Sequence, residues 1–89
     1  MEKKFVIIDP VGIHARPATL IVNEASKYAS NITLKFEERE ANLKSIMGIM
    51  GLGISAGKEI SIICDGPDAE KAIDGLTSVL TENNIAEGK

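Results

Sequence analysis

Aromatic side chains are nearly missing from this 89-residue chain: there is no tryptophan, and Phe5, Tyr28 and Phe36 are the whole set. The core has to be aliphatic, and a base-stacking platform for nucleic acid is disfavoured for want of rings. A net charge of −3 points the same way, because nucleic-acid binders carry a basic balance. Cysteine occurs once, at Cys64, so no intramolecular disulfide can form, and a reducing compartment is expected. With a single histidine as well, no metal-ligand spacing exists, and no metal or other cofactor is expected. No apolar run approaches the roughly 18 residues of a membrane span. Phe5-Val6-Ile7-Ile8 is too short for the apolar part of a signal peptide, so the expectation is a cytoplasmic protein that does not insert into membranes. Linkers, internal repeats and low-complexity tracts are also missing, which predicts one domain over residues 1–89 with room for one modest core.

What is present has clear periodicity. β-Branched and aromatic residues at 4–9, ended by Asp9-Pro10 and Gly12, predict a strand and a turn. Ala18, Ile21, Val22, Ala25 and Ala29 share one helical stripe and predict a helix over 15–28, with Pro17 tolerated in its first turn and Leu20 off the stripe. Alternation predicts a half-buried strand over 31–37, a turn at Glu38-Arg39 and a partner strand over 40–43 with Ala41 and Leu43 inward. Residues 45–52 form a short helix in which Gly48 and Gly51 each cost roughly 1 kcal/mol relative to alanine. A strand over 59–65 turns Ile60, Ile62 and Cys64 to one face. After Gly66-Pro67-Asp68, the stripe Ala69, Ala72, Ile73, Leu76, Val79 and Leu80 predicts the longest helix, closed by Asn83-Asn84, with a fraying tail to Lys89. The order is βαββαβα. Four strands with the helices on a single face is the simplest burial scheme, the second and third strands being antiparallel.

Chemistry concentrates around the only histidine, in Gly12-Ile13-His14-Ala15-Arg16-Pro17-Ala18. An isolated histidine usually just starts a helix or fills a crevice, and an isolated arginine is usually a solvated charge. Here three features converge. Imidazole nitrogen can hold a phosphoryl group covalently. Guanidinium matches phosphate oxygens in a planar fork. The backbone N–H groups of Ala15 and Arg16, at a helix start, are ready anion donors. The pattern points to a shallow site that accepts phosphate and hands it on. Ser45 is a good N-cap, and phosphorylation there would meet the positive end of a helix. A two-turn helix cannot bury every apolar side chain, so Ile49 is assigned to the core while Ile46, Met47 and Met50, with Leu20, are read as an exposed docking patch. Cys64 reads as an inert core residue and Glu37–Glu40 as a solvated turn. Gly48, Gly51 and Gly53 lack the Gly-Lys-Ser/Thr ending of a P-loop.

These residues are also where a family likeness resides. Gly12–Ala18, together with Asn42-Leu43-Lys44-Ser45-Ile46-Met47-Gly48-Ile49-Met50, resembles the histidine-containing phosphocarrier (HPr) family of the bacterial phosphoenolpyruvate:sugar phosphotransferase system, and length and element order extend the likeness over the whole chain. The resemblance implies an α+β open-faced β-sandwich, a four-stranded antiparallel sheet with three helices on one face. It implies that His14 takes phosphate at Nδ1 from enzyme I and passes it to sugar-specific EIIA components, with Arg16 on the phosphate. It also implies that Ser45 is the regulatory serine of HPr kinase/phosphorylase, linking the protein to catabolite control protein A and catabolite repression. Ile46, Met47 and Met50 match the family's partner-binding face, and Lys44 beside them is counted as a partner-binding residue. The chain departs from the family pattern at Val11, where a small polar residue is common, and at Gly51, where serine is frequent.

Two other classes compete. A purely regulatory binding module would need only Ser45 and the docking patch, but relatives of that kind lack the histidine. A histidine phosphatase resembles a larger fold with arginine directly before the histidine, and here that position is Ile13. The expectation is therefore a carrier without turnover of its own, working as a monomer, with Lys27, Lys44 and Arg16 steering an acidic donor.

Overall fold

Alternation decides the architecture. The computed structural model describes residues 1–89. Its elements follow as β1 (Glu2–Ile7), α1 (Ala15–Ala25), β2 (Asn31–Phe36), β3 (Arg39–Asn42), α2 (Ile46–Met50), β4 (Glu59–Asp65), α3 (Ala69–Glu82) and β5 (Ala86–Gly88). One set of strand side chains, Phe5, Ile7, Ile32, Leu34, Phe36, Ile60, Ile62 and Cys64, is buried, and the set between them is not. One face of the sheet is therefore covered and the other is open. The strands lie in the order β3-β2-β4-β1-β5, with every neighbouring pair antiparallel.

Helix stripes supply the cover. Pro17, Ala18, Ile21, Val22 and Ala25 of α1, and Ala72, Ile73, Leu76 and Leu80 of α3, are buried, and the two helices pack on each other. α2 has five residues, too few to stand alone in water. Burial of Ile49 contributes about 1.5–3 kcal/mol. That exceeds the roughly 1 kcal/mol cost of Gly48, and Gly51 is the C-cap rather than an interior residue.

The sheet has five strands, not the expected four, and the tail does not fray. Asn84 takes a left-handed turn (φ 54°) that ends α3, and the Ile85 amide then donates to the Leu80 carbonyl at 2.9 Å. Ile85 and Ala86 are fully buried, and β5 closes the edge of β1 through the pairs Ile7↔Ala86, Val6↔Glu87 and Phe5↔Gly88. A buried apolar pair and an otherwise open strand edge outweigh the polarity of the tail. Other boundaries also differ. β1 begins earlier than expected and stops at Ile7, and α1 stops at Ala25 rather than 28. Asp68 draws the following backbone away, accepting from the amides of Ala29 and Ser30 at 2.9 and 3.0 Å and leaving Ala29 exposed. The β2–β3 turn is Glu37-Glu38, with Glu37 at φ 56° and Phe36 paired to Arg39.

Candidate functional site

His14 is the N-cap of α1, with extended backbone (φ −98°, ψ −168°) and no side-chain cap hydrogen bond. First-turn amides have no carbonyl four residues back within the helix. Those of Ala15 and Arg16 find no backbone partner in the preceding loop either, and Pro17 has no N–H to offer. Two donors therefore stay open beside the imidazole, at the positive end of the helix. The side chain of His14 is 36% exposed and that of Arg16 is 59% exposed. None of the clefts in the molecule is lined by either residue. The site stands on the open surface, where a partner's reactive group can reach it.

A tightly held loop aims the imidazole. Gly12 adopts φ +82°, and a Cβ there would clash with the Ile54 carbonyl oxygen and lie 2.8 Å from Ser55 Cα. Only glycine permits that approach. The approach lets the Ile13 amide donate to the Ile54 carbonyl at 3.0 Å, with both side chains buried. On the other side, the Ile8 and Asp9 amides donate to the Ile85 carbonyl at 2.9 and 3.3 Å, so the terminal segment braces the loop.

The sequence places Asp9 only in a turn, and its position in the structure is more informative. It is 6% exposed. Its Oδ1 accepts from the Val11 amide at 2.9 Å and its carbonyl from the Gly12 amide at 2.9 Å. Its Oδ2 lies 3.5 Å from His14 Nε2 and 3.5 Å from Arg16 Nη2. The carboxylate therefore sits between the two groups that sequence reasoning singled out. Asp-Pro-Val-Gly signals a turn in any sequence, and nothing in it says where the second carboxylate oxygen points. Val11 is 71% exposed and contributes its amide to the turn.

The other expected residues gather on a neighbouring element, since α2 packs on α1. Ser45 is the N-cap of α2, its Oγ accepting from the Gly48 amide at 3.1 Å. A Cβ on Gly48 would approach that Oγ to 3.2 Å, so glycine here makes room for the cap. Met47 is 81% exposed, Met50 and Ile46 less so, and Ile49 is fully buried. Leu20 is half-buried against the core, so it rims the patch rather than standing free. Lys44 donates from Nζ to the Tyr28 carbonyl at 2.7 Å, a neutral partner that leaves its charge uncompensated. Lys27 instead pairs with Glu24 at 2.9 Å, which reduces its contribution to steering. The Tyr28 hydroxyl, ahead of Lys27, holds the Glu24 carboxyl below its ordinary range.

Known proteins share this sequence pattern and this fold. The family model described as "PTS HPr component phosphorylation site" matches residues 1–82. The phosphocarrier protein HPr of Lysinibacillus sphaericus is 44% identical over 85 residues, covering 96% of this chain and 97% of that one. The solved structure of the histidine-containing phosphocarrier protein of Mycoplasma superposes with a TM-score of 0.96 at 42% identity, covering 99% of this chain and 100% of that one. HPr of Thermoanaerobacter tengcongensis superposes with a TM-score of 0.87 at 42% identity, covering 94% and 93%.

Proposed function

Because the chain belongs to the HPr family of phosphotransferase-system phosphocarriers, we propose that His14 accepts a phosphoryl group on Nδ1 from enzyme I and delivers it to EIIA components in sugar uptake. The observation that carries this is the meeting of one half-exposed imidazole, one guanidinium and two unpaired amides at the start of α1. A phosphoryl group on Nδ1 brings about two negative charges. The amides of Ala15 and Arg16 and the Arg16 side chain are the donors for it. The surface position suits a group that must be given up as readily as it is received. No helix is long and apolar enough to cross a membrane. The protein acts as a cytoplasmic monomer, needs no cofactor, and contacts partners through Lys44, Ile46, Met47 and Met50 with Leu20 at the rim. The test is incubation with enzyme I and phosphoenolpyruvate: one acid-labile phosphate per chain is expected, absent from His14→Ala. Full labelling of His14→Ala would refute the assignment.

Regulation at Ser45 is a second reading, favoured by its place as the cap of α2 beside the exposed methionines. Phosphorylation by an HPr kinase/phosphorylase would put a near-dianion on the docking face, repelling an acidic donor and creating a determinant for catabolite control protein A. Serine-phosphorylated protein should bind that repressor partner more tightly than the unmodified form; equal binding would refute this role.

A further inference from the structure

Asp9 divides its carboxylate between two tasks, and the division suggests more than a turn. Oδ1 is consumed by the Val11 amide, the ordinary side-chain-to-backbone bond of an Asx turn. That bond alone would account for an aspartate here. Oδ2, however, has no backbone partner and lies equidistant, at 3.5 Å, from His14 Nε2 and Arg16 Nη2. It is held there by burial, by the Asp9 carbonyl's bond from the Gly12 amide and by the Asp9 amide's bond to the Ile85 carbonyl. We propose that Asp9 is a positioning residue for phosphoryl transfer, fixing the His14 ring with its proton on Nε2 and parking Arg16 until the phosphoryl group arrives. This rests on the carrier reading above.

The argument is electrostatic and tautomeric. A neutral imidazole carries its proton on one nitrogen and its lone pair on the other. A carboxylate can only accept, so a carboxylate facing Nε2 favours the tautomer with the proton there. The lone pair is then on Nδ1. In uptake, that lone pair attacks the phosphorus of a donor phosphohistidine. The donor N–P bond breaks, its electron pair returns to the donor imidazole, and the new N–P bond forms at Nδ1. The Nε2 proton stays, so the phosphorylated ring is cationic and faces the anion of Asp9. At 3.5 Å the contact is longer than a hydrogen bond in the resting state, and charging the ring strengthens it. In delivery the acceptor attacks phosphorus, the Nδ1–P bond breaks, and its pair returns to the ring, restoring the resting tautomer. Arg16 meanwhile chooses between one carboxylate oxygen and a phosphoryl group of about two charges. At equal distance the second attraction is about twice the first, so arrival of phosphate draws the guanidinium off Asp9.

Asp9→Asn separates positioning from turn formation. Its carbonyl oxygen keeps the Val11 bond, while its NH2 group faces the ring and donates to Nε2, favouring the opposite tautomer. Asp9→Ser, which keeps a turn-forming oxygen without charge, is the second variant. The measurements are 15N spectra of labelled imidazole, which report the tautomer directly, and phosphate uptake from enzyme I resolved into kcat and KM. The wild type should show mainly the Nε2–H form. Asp9→Asn should shift toward Nδ1–H and lose roughly 10- to 100-fold in kcat, by analogy with removing the partner that orients a metal-bound imidazole, with little change in KM. Variants with wild-type tautomer and wild-type kcat would overturn the inference while leaving the carrier reading intact. A wild type that takes up no phosphate would overturn both.

Discussion

Replacing Gly12 by alanine tests how the site is built. Two costs are expected. The first is conformational: at φ +82° an L side chain pays about 1–2 kcal/mol. The second is steric, because the new Cβ would clash with the Ile54 oxygen, and that oxygen belongs to backbone. The strand of loop at Ile54 must retreat, and the Ile13-to-Ile54 hydrogen bond between two buried residues is lost. A buried polar group left unsatisfied costs about 1–3 kcal/mol. The expected destabilisation is therefore about 2–5 kcal/mol, measured by urea unfolding. Gly53→Ala is the internal control: its φ is +62°, but a Cβ there meets nothing within 4 Å. It should lose only the conformational cost, about 1–2 kcal/mol. Under conditions where both variants are folded, phosphate uptake should fall in Gly12→Ala and not in Gly53→Ala. Equal stability losses in the two variants would refute the argument that close approach of Ile54 shapes the loop.

Ile85→Ala should cost about 2–5 kcal/mol, since the side chain is fully buried, and removal of residues 85–89 should also slow phosphate uptake by freeing the Asp9 amide; a truncated chain with wild-type stability would contradict the bracing role of the tail. Tyr28 is the only tyrosine in a chain without tryptophan, and its hydrogen bond to Glu24 at 2.6 Å, ahead of burial, pushes its phenol up from 10.0 to about 12. Tyrosinate absorbance should therefore appear with a midpoint of about 12 in the folded protein and 10.0 in denaturant. Because the folded value is the raised one, this bond's contribution to stability is complete below 10.0 and is lost as pH climbs through about 12; a folded midpoint at 10.0 would mean the bond is not made. Ser45→Ala should cost about 1 kcal/mol through loss of the α2 cap. Ser45→Asp should slow phosphate uptake by placing negative charge on the docking face, and an unchanged rate would count against that placement.

The sequence revealed elements whose burial is periodic and local. β4 runs over the expected residues, because Ile60, Ile62 and Cys64 alternate with polar neighbours between clear turn signals. α1 begins at Ala15 as expected, while its end is not legible locally because the signal lies 39 and 38 residues away, in the Asp68 carboxylate that accepts from Ala29 and Ser30. β5 was missed for a similar reason: three residues carry no period, and only the open edge of β1 makes them a strand. At the site, His14, Arg16 and the helix start are contiguous and were legible. Asp9 and the Ile54 carbonyl were not, because their roles depend on where a loop folds back and which oxygen of a carboxylate is left free.

The central claim is that phosphate is carried on the imidazole nitrogen turned away from Asp9. Phosphorylated protein with 15N-labelled histidine reads this directly through coupling between phosphorus and ring nitrogen. Coupling to Nδ1 of His14, with Nε2 retaining its proton, is the predicted result. Coupling to Nε2, or phosphate on any residue other than His14 after exposure to enzyme I, would contradict the account.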